Sequence, residues 1–166
     1  WSSDVCSSDL ARLLGQRLDA AVPVIQTVFN PMFQAGCLAG EFFQQHCETA
    51  PEAVAAGVEI LRQNTVRLIE AFGEVGVDGI YLVVQNARAG AMSQADYAAI
   101  SRESDQSCLA AARGLPLNFF HLHGDAIHLA AAPTEGDFIL HFSEGRGNPD
   151  ASRLLDETGR RLSTGP

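Results

Sequence analysis

The sequence predicts an α/β fold, an incomplete (β/α)8 barrel of the TIM type with about four parallel βα units. Three observations predict it. Short β-branched or aromatic runs alternate with longer segments of helical periodicity, the pattern of βαβ units. The run Val77-Asp-Gly-Ile-Tyr-Leu-Val-Val84 is almost wholly apolar, as a parallel strand covered on both faces requires. No GxGxxG follows the first strand, so a dinucleotide-binding open sheet has no positive support. Four strands do not close an eight-stranded barrel, and such a piece leaves two sheet edges uncovered.

The elements follow in order. Residues 1–10, Trp-Ser-Ser-Asp-Val-Cys-Ser-Ser-Asp-Leu, have neither a basic start nor an apolar stretch, so they do not read as a signal peptide. They are expected to be a non-native leader and are set apart from the domain at 11–166. Ala21 to Phe29 is rich in β-branched residues and predicts the first strand, broken by Asn30-Pro31. Met32 to about His46 predicts a helix, with Gly36 and Gly40 tolerated for close packing. Thr49-Ala-Pro51-Glu52 reads as a capping box with a first-turn proline. The helix it opens carries Val54, Val58, Leu61, Thr65, Leu68, Phe72 and Val75 at helical spacing, with Ile69 widening the stripe.

Val77–Val84 is the second strand. Ser93-Gln-Ala-Asp96 is a second capping pattern, opening a helix to about Ala112. Leu115–Leu122 predicts the third strand and Asp125 to Ala131 a short helix. Asp137–Phe142 predicts the fourth strand, and Asp150 to about Leu162 a last helix.

Composition bounds the function. The chain has 166 residues and a formal net charge of -9. That balance argues against a nucleic-acid partner, whose phosphates call for clustered Lys and Arg. It equally disfavours an anionic membrane surface, and no apolar run approaches the roughly 18 residues of a spanning helix. Cysteines stand at 6, 37, 47 and 108 with no CxxC pair. They read as reduced thiols, mostly buried small apolar residues, in a cytoplasmic protein.

Candidate chemistry gathers at the predicted strand ends, where barrel enzymes place their active sites. His121 and His123 are two apart on the third strand, so both project to one face. Gly124 lets the chain turn there. Two imidazoles at that spacing can bind a metal, share a proton or hold a carboxylate, and otherwise are hydrogen-bonded barrel-lining side chains. His141 ends the fourth strand. Gln85, Asn86 and Arg88 follow the second strand, and Asn30 follows the first. Arg146 sits in Glu144-Gly-Arg-Gly-Asn148, which reads as a mobile loop over the mouth. All six are expected to contact substrate, against plainer readings as loop caps, solvated side chains or core residues. Asp78 starts its strand at the opposite end and is assigned to stability.

Taken together, Val28-Phe-Asn-Pro31, Pro51-Glu-Ala-Val-Ala-Ala-Gly57, Val77-Asp-Gly-Ile80, Gln85-Asn-Ala-Arg-Ala-Gly90 and Leu117-Asn-Phe-Phe-His-Leu-His-Gly124 resemble the uroporphyrinogen decarboxylase family. The likeness runs over residues 11–166 and about half of a family member. It implies one of two chemistries. The decarboxylases remove carboxylates from a tetrapyrrole with no metal or cofactor, for which His121 or His123 is the acid available here. Relatives move methyl groups between corrinoid proteins and thiols with a zinc ion.

The sequence departs from both. Phe29-Asn-Pro-Met-Phe33 stands where decarboxylases carry Gly-Ala-Pro-Trp-Thr, Cys37 replaces a substrate-contacting tyrosine, and Asn86 lies near a serine position. The methyltransferases carry His-x-Cys where this chain has His121-Leu-His123. Histidine is a chemically competent zinc ligand.

The resemblance therefore implies decarboxylation of a carboxylated tetrapyrrole or a related substrate as the first expectation. Zinc-dependent corrinoid/thiol methyl transfer through His121 and His123 is the alternative. A non-catalytic tetrapyrrole- or corrinoid-binding domain is a third. The expected partner is a small tetrapyrrole or corrinoid-linked molecule. A homodimer is among the expected assemblies of the full-length protein.

Overall fold

The computed structural model describes residues 3–145, 147–152, 154 and 161–165. Five strands form one parallel sheet: β1 (Ile25–Phe29), β2 (Gly79–Val84), β3 (Phe119–Leu122), β4 (Ile139–Ser143) and β5 (Leu162–Gly165). Their spatial order is their chain order, with β1 and β5 at the two edges. A doubly wound sheet reverses direction at a switch point. This one does not, and it is not closed, so it has the form of a partial barrel. The helices are α1 (Ser3–Arg17), α2 (Pro31–Ala39), α3 (Phe43–Thr49), α4 (Pro51–Glu74), α5 (Gln94–Ile100) and α6 (Arg102–Ala111).

Strand alternation sorts the sheet into two faces. Val28, Ile80, Leu82, Val84, Phe120, Leu122, Leu140 and Phe142 are buried in one core with Ile69 and Phe72 of α4 and Cys108 and Leu109 of α6. Burying a side chain of that size contributes roughly 1.5–3 kcal/mol, so this layer is the main stabilising surface. The opposite face carries Thr27, Tyr81, Val83, Phe119, His121, Ile139 and His141. In a closed barrel that face lines the lumen.

The strand starts are tied by side chains. Val24 N–H donates to Asp78 Oδ2 at 2.7 Å, while Asp78 N–H donates to the Val24 carbonyl at 2.8 Å. Asp78 thus joins β1 to β2 at the end away from the mouth. Asn118 accepts from Ile80 N and donates to the carbonyls of Ala112 and Leu115, which sets where β3 begins.

Residues 3–10 lie in α1, and Ala11 on that helix is buried in the core. Several expectations about the later elements are corrected. β1 starts only at Ile25, because Pro23 has no N–H for a ladder. The helix after Pro31 breaks at Gly40, whose φ of 59° interrupts it with a 3-10 turn over Gly40–Phe42. Thr49 does not cap α4; its hydroxyl donates back to the Gln45 carbonyl, and Ala50 takes the cap position. Ser93 does cap α5, accepting from Asp96 N.

The helix predicted to Ala112 breaks at Ser101 into α5 and α6. Only a 3-10 turn, Leu129–Ala131, forms where a helix was expected at 125–131. Ala126 has a left-handed φ of 48°, and the next residue, Ile127, bridges to Arg88. The predicted last helix is described at Ala151, Ser152 and Leu154, but Leu162 falls in β5, paired with β4. Cys108 is buried as expected, whereas Cys37 is exposed and Cys47 half-buried; all three are free thiols.

Candidate functional site

The parallel register brings His121 and His141 directly opposite each other on β3 and β4. Their rings lie 4.8 Å apart, with the two Nδ1 atoms at 2.8 Å. One of those nitrogens must carry the hydrogen. Across the sheet, Tyr81 of β2 places its hydroxyl 2.7 Å from the same His141 Nδ1. Its ring stacks on His121 at 5.2 Å and packs against Phe119. His123 follows β3 and is exposed, with its Nδ1 3.4 Å from His121 Nε2. Three side chains from three strands, with His123 just beyond β3, thus form one polar cluster on the open face.

Burial is the largest influence on His121 and His141. It lowers His121 to about 4, assisted by the neighbouring His141 and His123. His141 is lowered by burial too, and Tyr81 is raised by it. At neutral pH His121 is uncharged, with one ring nitrogen lone pair free to accept a proton, a hydrogen bond or a metal.

The other expected residues are distributed unevenly. Arg88 lies across Gly124, the residue after His123. A Cβ built on Gly124 would meet the Arg88 Cδ at 2.5 Å, and Gly124 has a φ of 97°. Glycine therefore admits both the turn and the arginine. Arg88 Nε and Asn86 Oδ1 are buried with no hydrogen-bond partner among the described residues. Gln85 is half-buried at the same strand end.

Asn30 is wholly buried and committed within the protein. It accepts from Phe33 N at 3.1 Å as the cap of α2, and it donates to Ser101 and to Asp105. Its burial has a physical reason: the strand end lies against Ser101 and Asp105 of the α5–α6 region, so the amide meets a buried carboxylate. Arg146 lies outside the described residues. Its loop is tied at Asn148, which donates to the carbonyls of Gly124 and Ser143 and accepts from Ile127 N.

Sequence reasoning missed Tyr81 and the buried group of Tyr97, Ser101 and Asp105. The signal for Tyr81 was its place as the one residue with a polar ring in an apolar strand. The Asp105 group gave no such signal, because its members lie far from Asn30 in the chain.

Two clefts, of about 610 and 630 Å³, lie beside the 127–154 loops and among α2, α3 and α4; neither is lined by His121, His123 or His141. The cluster lies on a sheet face. Among the described residues no group of three or more His, Cys, Asp or Glu is placed to hold a metal, and no helix is long and apolar enough to cross a membrane.

The chain is similar in fold to a solved structure, a methyltransferase from Methanosarcina mazei. The TM-score is 0.77 at 15% sequence identity, over 95% of this chain and 47% of that one. The chain therefore spans about half the length of that neighbour, and the likeness is one of fold. No protein-family model matches the chain, and no curated protein matches it.

Proposed function

We propose that this chain forms part of a zinc-dependent methyltransferase acting between a corrinoid and a thiol. The observation that carries the reading is the 3.4 Å separation of His121 Nε2 and His123 Nδ1. His121 and His123 would be the two residues of this chain to hold the zinc, their nitrogens brought together at the strand end where barrel enzymes work. The fold likeness to a methyltransferase supports this reading over decarboxylation. A third protein ligand would come from outside the described residues.

When bound, zinc would supply the positive charge that holds a thiol as thiolate at neutral pH. The chain's own residues have separate tasks. His121, kept uncharged by burial, offers a lone pair without first losing a proton. Arg88, seated over Gly124 beside His123, offers a cation to an anionic substrate group. Gln85 and Asn86 offer amides at the neighbouring strand end. A corrinoid would supply the methyl group, which would pass to the sulfur while the corrinoid keeps the electron pair of the bond that breaks.

Metal analysis of the full chain tests the reading. One zinc per chain, lost in His123→Ala, is the expected result. No zinc together with turnover of uroporphyrinogen would replace it with decarboxylation. Neither metal nor turnover, with tight tetrapyrrole binding, would make the chain a binding domain.

A further inference from the structure

We propose that Arg88 anchors an oxyanion site at the strand ends, that Gly124 is its positioning residue, and that the group it takes is a carboxylate. The proposal rests on the reading above in placing an anionic substrate group at Arg88, and it needs no metal.

The guanidinium lacks an acid of its own. Arg12, Arg62 and Arg161 pair with Asp9, Glu59 and Asp137. Among the described residues no carboxylate stands within ion-pair distance of Arg88. Nor is Arg88 a plainly solvated side chain. It is half-buried, and its Nε is buried with no hydrogen-bond partner among the described residues. Buried polar groups in folded proteins are nearly always hydrogen-bonded. A cation with an unmet donor and no acid is short of an acceptor, and a charged, two-pronged acceptor suits its fork best.

The side chain is held where it lies. A Cβ at Gly124 would meet Arg88 Cδ at 2.5 Å and Nε at 3.1 Å, so any side chain there takes the arginine's place. The backbone around it is tied from three strand ends. Arg88 bridges to Ile127, and Ala89 N–H donates to the Ala126 carbonyl at 3.0 Å. Ile127 N–H donates to Asn148 Oδ1, and the Asn148 amide donates to the carbonyls of Gly124 and Ser143. The segments after β2, β3 and β4 therefore act as one support. A cation fixed in advance loses less freedom when a ligand binds.

Charge selects the anion. Arg88 supplies one positive charge, and Asp125, the residue after Gly124, is an exposed acid. A carboxylate brings one negative charge in a plane that matches the guanidinium. A phosphate dianion brings two, and the second would go unmatched.

The test uses the full chain and two probes, acetate and inorganic phosphate. Each is titrated at constant ionic strength and slightly alkaline pH, with the backbone amides of Arg88, Ala89 and Gly124 followed by NMR. Acetate is expected to give saturable shifts at these amides. Arg88→Gln should weaken acetate binding by about tenfold or more, and Arg88→Lys, which keeps the charge, by less. Gly124→Ala keeps the arginine but displaces it, and should weaken acetate binding as well. Thermal unfolding of each variant checks that it is folded, and the Arg88→Gln and Arg88→Lys pair decides the matter if Gly124→Ala is not. Saturable shifts that persist unchanged in Arg88→Gln would overturn the proposal, as would no saturable shift with either probe. Phosphate binding tighter than acetate would overturn the carboxylate assignment. A chain that binds acetate at Arg88 but neither binds zinc nor transfers methyl groups overturns the methyltransferase reading instead.

Discussion

The hydroxyl of Tyr81 meets His141 Nδ1 at 2.7 Å although β3 separates their strands. A long aromatic side chain spans that gap. Tyr81, His121 and His141 consequently form one connected unit, with ring contacts between every pair. Loss of the hydroxyl in Tyr81→Phe is expected to cost about 1 kcal/mol or less in stability, since the group is only half-buried. Urea denaturation measures it. A cost several times larger would mean that the hydroxyl has a structural role beyond this contact.

Asn30→Ala tests the buried group under the sheet. The substitution removes the α2 cap and also the donor that meets Asp105 Oδ1 at 2.9 Å. A lost cap and a buried acceptor left without its partner together cost about 2–3 kcal/mol. The midpoint of chemical unfolding should fall accordingly, with no change in slope.

Asp105 should impose a pH dependence on stability. Burial pushes its carboxyl up from 3.8 to about 7, against the opposing hydrogen bonds from Tyr97, Asn30 and Ser101. Between those two values the unfolded chain has released a proton that the folded chain retains. Stability from this group is therefore full below about pH 4 and declines as pH rises towards 7. Asp105→Asn removes the decline. Its stability relative to wild type should improve between pH 5 and pH 8 in urea titrations. A constant difference across that range would show that Asp105 titrates normally.

Gly79→Ala should be among the most damaging single changes. Gly79 opens β2, and a Cβ there would overlap the backbone carbonyl of Leu117. Backbone cannot step aside as a side chain does, so the cost should reach or pass the ~3 kcal/mol upper end of ordinary overpacking. Gly124→Ala should be milder, about 1–3 kcal/mol, because its strain is the positive φ and the displaced group is the flexible end of Arg88. Thermal unfolding of the two variants should rank them in that order.

The 166-residue chain on its own should self-associate. Among the described residues β1 and β5 are edge strands with no further strand paired on their outer sides, and Phe29 is 42% exposed on the first of them. Sedimentation velocity should find dimers or larger species. A monodisperse monomer that unfolds cooperatively would contradict this.

What the sequence determined by itself is local. Apolar runs with strand periodicity, the Pro51 start, the Ser93 cap and the long stripe of α4 are set by neighbours along the chain, and they were legible as parallel βα units. So was the placement of His121 and His123 on one face, since alternation along a strand has a fixed period. β5 was not legible. Leu162-Ser-Thr-Gly has weak strand character of its own and takes its form from the open edge of β4, with Leu140 N–H donating to the Arg161 carbonyl.

Only the tertiary structure decided which polar residues meet. Register set His121 opposite His141, a diagonal reach brought in Tyr81, and the fold of α5 and α6 over β1 took Asn30 into the core beside Asp105. Those meetings join residues 20 to 75 positions apart. No short-range pattern encodes such a pairing, because it depends on how whole strands and helices lie against one another. The strand end Phe119–Leu122 was visible in the sequence; the company its histidine keeps was not.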